Sequence, residues 1–72
     1  MEKRTIQVLK FIMENEGCQV QDVKNFLGVS RPLTSAILRS IEELGFIKRE
    51  FGDGRSVSLK ITHKGEEVLK NE

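Results

Sequence analysis

The hydrophobic positions change period near Gly45, where helical spacing gives way to the alternation of strands. Ahead of that point Ile6, Leu9, Ile12 and Met13 recur at helical spacing, with Val8 at the edge of the stripe and Gln7, Lys10 and Glu14 opposite. This predicts a helix over about 2–14, on which Phe11 falls toward the polar side. Asn15, Glu16 and Gly17 read as its stop, with Gly17 as the left-handed cap. Cys18 to Val20 predicts a short extended piece making a single strand bridge, and a second helix follows over about 21–27 with Val23, Phe26 and Leu27 inward. Gly28, Val29 and Ser30 form a tight turn. Ser30 is placed to cap the next helix with its hydroxyl, and Pro32 sits in the first turn, where its missing N–H costs nothing. That third helix is predicted over 31–44. Leu33, Ile37, Ile41 and Leu44 form its apolar stripe, flanked by Leu38 and Ala36, and Arg31, Ser35, Arg39 and Glu42 share a different, wholly polar face.

After Gly45 the period becomes two. Residues 46–51 and 56–61 read as strands around Gly52, Asp53, Gly54 and Arg55, a turn rich enough in glycine to predict a hairpin. Ile47 and Phe51 point one way on the first strand, as do Val57, Leu59 and Ile61 on the second. Thr62 opens a final short helix with Val68 and Leu69 as its apolar contacts, although Gly65 stands where a capping box would place Glu. The predicted class is α+β, mostly α: a three-helix core, a C-terminal hairpin and a short fourth helix, in one domain over 1–72.

Length and composition narrow what this architecture can do. Seventy-two residues give room for one domain with a thin core, which self-association often supplements. No window approaches the roughly 18 unbroken apolar residues of a membrane span. The charged start, Met1 to Arg4, is unlike a secretory signal, so a cytoplasmic location and no membrane partner are expected. Cys18 is the sole cysteine and reads as a small buried hydrophobe; His63, the sole histidine, lies far from it, so no metal-ligand spacing exists and no cofactor is expected. Without a nucleophile–base pairing or a glycine-rich phosphate loop, an enzyme is the least supported class.

The net charge of +1 conceals a division along the chain. Residues 1–30 balance to zero, residues 31–64 carry +3, and residues 65–72 carry −2. Positive charge is concentrated where the third helix and hairpin would form a nucleic-acid-facing surface. Arg31 and Arg39 suit phosphates or guanine edges, while Thr34 and Ser35 are small hydroxyl residues that let a backbone approach. In the hairpin Arg55 lies near the tip, with Lys48, Arg49 and Lys60 on the flanking strands. Alternation counts against Arg49, because it shares the face of Ile47 and Phe51.

The segments VQDVKNFLGVSRPLTSAILRSIEELGFIKRE (20–50), FGDGRSVSLKIT (51–62) and ITHKGEEVL (61–69) together resemble the winged helix-turn-helix superfamily. The likeness is greatest to prokaryotic MarR-like regulators and their small archaeal or viral relatives, and it covers most of the chain. It places the helix-turn-helix at about 21–44 and the wing at about 46–61. The resemblance implies sequence-specific binding of double-stranded DNA by a repressor-like homodimer, with the 31–44 helix in the major groove. It also keeps Arg49 as a contact at the base of the wing. Ala36 departs from the pattern, which often has a long polar residue there, and the family's long dimerisation helices are absent or truncated. Leu33 has two readings, a thymine-methyl contact or a core residue. Phe11 also has two: packing under the last helix, or joining Val8, Val68 and Leu69 in a two-fold interface. His63 and Lys64 are expected in solvent, and no small-molecule effector is evident. The rival readings are a winged-helix module that binds protein and the DNA-binding domain of a replication or plasmid initiator.

Overall fold

In the computed structural model, which describes residues 2–54 and 56–71, α1 (Lys3–Glu14), α2 (Val20–Leu27) and α3 (Arg31–Glu43) precede a hairpin of β1 (Ile47–Phe51) and β2 (Val57–Ile61), and α4 (His63–Lys70) follows. The core is built from Val8, Leu9 and Ile12 of α1, Cys18, Val23 of α2, Leu38 and Ile41 of α3, and Phe46, Ile47 and Leu59 of the hairpin.

The buried stripe of α1 is rotated from the predicted one. Val8 is wholly internal, whereas Met13 is 43% exposed. Val8 is therefore a core residue and cannot serve a two-fold interface, because its surface is already used inside the chain. Phe11 has a neighbour that neither reading of the sequence named. Its ring stacks on Phe26 of α2, with centroids 4.5 Å apart and planes 23° from parallel. Val68 and Leu69 of α4 are likewise half-buried against the same core.

The extended piece after α1 is held to the hairpin by two backbone bonds. Gly17 N–H donates to the Leu59 carbonyl at 3.3 Å, and Leu59 N–H donates to the Cys18 carbonyl at 2.7 Å. The helix that follows starts one residue earlier than predicted, at Val20, because the Asp22 carboxylate accepts from the Gln19 N–H at 2.8 Å and closes its first turn. Gly28, at φ +67°, ends it in the left-handed conformation that a glycine adopts without steric cost.

In α3 the Ser30 hydroxyl accepts from Leu33 N–H at 3.3 Å, which caps the helix as predicted. The inward face is Thr34, Leu38 and Ile41, spaced i, i+4 and i+7, and the predicted apolar stripe lies to one side of it. Leu33 and Leu44 are 42% and 51% exposed, so Leu33 is not a core residue. Thr34 occupies the core position instead. Its hydroxyl donates to the Ser30 carbonyl at 2.9 Å, which satisfies the polar group and lets it be fully buried.

The hairpin is antiparallel, with Ile47 opposite Ile61, Arg49 opposite Leu59 and Phe51 opposite Val57. Thr62 joins its base to both neighbouring helices. The Thr62 hydroxyl donates to the Gly45 carbonyl at 2.6 Å and accepts from Gly65 N–H at 3.1 Å, while Thr62 N–H donates to the Phe46 carbonyl at 2.9 Å. Gly65 lies so close to the hairpin base that an added Cβ would run into the Phe46 carbonyl oxygen and sit 2.7 Å from Ile61 Cγ1. No glutamate fits there, and the cap is made by Thr62 alone. Among the described residues, no helix is long and apolar enough to cross a membrane.

Candidate nucleic-acid interface

With Thr34, Leu38 and Ile41 turned inward, α3 presents Pro32, Ala36, Arg39, Ser40 and Glu43 on the opposite side, all exposed. Arg31, Ser35 and Glu42 lie on the flank between that surface and the hairpin, at the successive offsets that helical geometry puts in one row. Arg31 and Ser35 form one wall of an open cleft of about 410 Å³. Arg49 and Val57 of the hairpin form the other wall, and Gln19 and Gln21 at the start of α2 close the end.

Arg49 reaches the cleft for the reason that weighed against it in sequence. Alternation puts it on the face shared with Ile47 and Phe51, and that is the hairpin face turned toward α3. Its Nε lies 3.4 Å from Glu42 Oε2, with the two side chains 31% and 38% exposed, so the pair tethers the wing to the helix without desolvating the guanidinium. Two arginines and a serine thus line one slot.

Lys48 and Lys60 are cross-strand partners on the other face of the hairpin. Lys60 Nζ is 2.9 Å from Glu50 Oε1 and 4.0 Å from Glu16, and Lys48 Nζ is 3.8 Å from Glu50. The hydrogen bond from Lys60 holds the Glu50 carboxyl below the usual carboxylate range, and the same bond raises the Lys60 ammonium. Their charge is shared locally with carboxylates, away from the cleft. Arg55, expected near the wing tip, lies outside the described residues. Thr34 is corrected: a fully buried hydroxyl bonded to its own helix cannot touch a ligand on the outer surface.

At the start of α4, His63 is exposed and lies 3.1 Å from Glu67 Oε1, while the Lys64 ammonium lies 5.6 Å from the centre of the Phe46 ring. The Cys18 thiol is buried, and desolvation first, with the Asp22 charge second, pushes its pKa up. Among the described residues no group of three or more His, Cys, Asp or Glu side chains is arranged to hold a metal. Gln19 and Gln21 were missed by sequence reasoning. Both precede an apolar helical stripe at a capped start, a signal that marks a helix end but not what the end faces.

Residues 1–56 match the sequence profile of the MarR family. The HTH-type transcriptional regulator BilQ of Clostridioides difficile (strain CD3) is 33% identical over 63 residues, which is 85% of this chain and 43% of BilQ. The crystal structure of MarR superposes with a TM-score of 0.88 at 26% identity, covering 99% of this chain and 50% of that one. FabT of Streptococcus pneumoniae, crystallised in complex with DNA, superposes with a TM-score of 0.90 at 19% identity, covering 99% and 51% respectively, and so shares the fold. The chain spans about half the length of the relatives it matches.

Proposed function

The chain belongs to the MarR family, and from that premise we propose that it binds double-stranded DNA as a transcriptional regulator of repressor type, with α3 in the major groove and the hairpin on neighbouring backbone. The observation that carries this reading is the convergence of Arg31, Ser35 and Arg49 on one cleft between helix and wing. Guanidinium groups on both walls suit a phosphate chain threaded between them. Beside the cleft, Arg39 projects from the exposed face of α3, where it can take a guanine edge, and Ala36 and Ser40 are small enough for close approach. Arg55 is the proposed contact of the wing tip by its chemistry and place in the turn. Lys48 and Lys60 add long-range attraction more than direct contact, since carboxylates share their charge.

The proposed working unit is a cytoplasmic homodimer on a pseudo-palindrome, its recognition helices about one helical turn apart. Met13, Phe26, Leu33 and Leu44 support self-association, being 42–51% exposed in a small chain. Phe26 continues the stack begun by Phe11, so an interface there would use the outer ring of the pair.

A shift assay titrated with salt tests the DNA reading. Arg31→Ala and Arg49→Ala should each weaken binding to all sequences and reduce the slope of log K against log salt by about one. Arg39→Ala should weaken the selected site more than random duplex. If the protein shifts no duplex at about 50 mM salt, the reading is wrong and a protein partner becomes the better one.

A further inference from the structure

Phe51 is 79% exposed, far more than any other exposed large hydrophobic side chain among the described residues. It ends β1 beside the turn and faces Val57 across the hairpin. Its strand face runs from the core at Ile47 and Leu59, through the cleft wall at Arg49 and Val57, and out to the Phe51 ring in solvent. One continuous surface therefore passes from apolar packing, to the cleft-lining Arg49, to an uncovered aromatic ring.

We infer that Phe51 is a DNA-contact residue whose ring lies against the sugar and base-edge surface of the minor groove, next to the backbone held by Arg31 and Arg49. This rests on the DNA-binding reading above and adds an apolar term to it. Two residues along a strand place the ring roughly 6.7 Å beyond Arg49. A guanidinium on the bordering phosphate thus sets the ring at the mouth of a groove about 6 Å wide. The turn beyond it begins with Gly52, Asp53 and Gly54, two of which have no side chain to keep the hairpin out of a narrow groove. Apolar side chains placed against minor-groove steps are an established way for proteins to hold DNA. The surroundings fit a protein partner less well. A protein-binding anchor is normally ringed by further contact residues that exclude water. The neighbours of Phe51 on its hairpin face are instead Val57 and the cleft-lining Arg49, and the Glu50 carboxylate lies on the other face paired with Lys60.

The chain contains no Trp and no Tyr, so Phe51→Trp installs a single fluorophore at the proposed contact. Titrated with a mixed-sequence duplex about three helical turns long, the Trp emission should be quenched and its collisional quenching by iodide should fall about threefold or more as the site is covered. Phe51→Ala should weaken binding to the same duplex about tenfold, from the apolar surface lost. It should leave the salt slope unchanged, whereas Arg49→Ala lowers that slope. Because the ring is exposed, the unfolding midpoint of Phe51→Ala should stay near that of the parent. If the parent binds the duplex and the Trp remains as accessible to iodide as in free protein, the inference is overturned while DNA binding stands. It is equally overturned if the Trp becomes shielded with rising protein concentration in the absence of DNA, which would put the ring against a second copy. If the parent binds no duplex, both readings fall together.

Discussion

Replacing Gly65 with alanine sets two physical effects of opposite sign against each other. Gly65 lies within α4, where helix propensity alone favours alanine by about 1 kcal/mol. The structure opposes this, because the new Cβ would collide with the Phe46 carbonyl oxygen and come within 2.7 Å of Ile61 Cγ1. One of those atoms is backbone at the hairpin base, so relief requires α4 to move outward. Overpacking of this kind costs about 1–3 kcal/mol. The movement also strains the Thr62 junction, whose bonds to the Gly45 carbonyl, the Phe46 carbonyl and Gly65 N–H each contribute on the order of 1 kcal/mol. After the propensity gain is subtracted, Gly65→Ala should destabilise the fold by about 2–4 kcal/mol. For a domain this small that corresponds to a fall in Tm on the order of 10–25 °C. Urea unfolding followed by circular dichroism at several protein concentrations measures it without interference from association. A variant as stable as the parent, or stabilised by the helix-propensity increment, would refute the close approach of α4 to the hairpin base.

Thr34→Val should leave DNA affinity unchanged within about twofold, since the side chain is fully buried, and should cost on the order of 1 kcal/mol of stability from the lost bond to the Ser30 carbonyl; a large loss of binding in a variant that unfolds normally would place the residue on the DNA. Glu50 has a folded-state pKa below its ordinary 4.5, so its contribution to stability is present above that value and lost as pH falls through it. Glu50→Gln should therefore flatten the decline in Tm on acidification below about pH 4.5, and an unchanged acid limb would mean that the pair with Lys60 does not form in solution. Lys60 is raised above 10.5, so its contribution is present below that value and is lost only as pH climbs beyond it; the pair should show no titration near neutrality. Burial holds Cys18 as the neutral thiol, and a thiol-reactive disulfide should label it at least ten times more slowly in native protein than in urea; equal rates would contradict its burial.

The order of elements was legible because three independent signals agree at most boundaries: a cap, a period and a turn residue. Ser30 and Pro32 open α3 as read, and Gly28 ends α2 in the left-handed conformation. What sequence misplaced was rotation about the helix axes. In α3 the apolar pattern pointed to Leu33 and Leu44, and the buried row is Thr34, Leu38 and Ile41. A hydroxyl that bonds its own helix carbonyl is interior-compatible, and hydropathy does not register that bond. In α1 the apolar pattern put Val8 at the edge, though the core shared with α2 and the hairpin buries it completely. The cleft was half legible. Arg31 and Ser35 could be put on one row by counting, whereas the approach of Arg49 depends on which hairpin face meets α3, and that is set by packing of Ile47 and Leu59.

The division of charge between the cleft and the outer face of α3 bears on how the proposed DNA complex would discriminate among sequences. Opposite the core, Arg39 is the one long basic side chain of the helix, set among Pro32, Ala36, Ser40 and Glu43. A bidentate arginine on guanine discriminates by about 1–3 kcal/mol. Two such contacts in the proposed homodimer would give about 2–6 kcal/mol, which reaches only the lower part of the roughly 4–10 kcal/mol that separates specific from non-specific sites in typical regulators. If Arg31 and Arg49 hold phosphate as proposed, they cannot make up the difference, because phosphate contacts are blind to sequence. In the proposed complex, DNA shape is a source of further discrimination beside the contacts proposed for the wing. A helix with small residues at 36 and 40 would lie close to the groove floor, where groove width is felt, and a wing tied to that helix through the Arg49–Glu42 pair fixes where the next stretch of backbone must lie. Weakening the tether by Glu42→Gln should therefore blur sequence preference more than it lowers affinity, since the arginine freed from Glu42 still finds phosphate. Selection from a random DNA library with parent and variant measures this directly, and an equally sharp preference in both would remove the tether from the recognition mechanism.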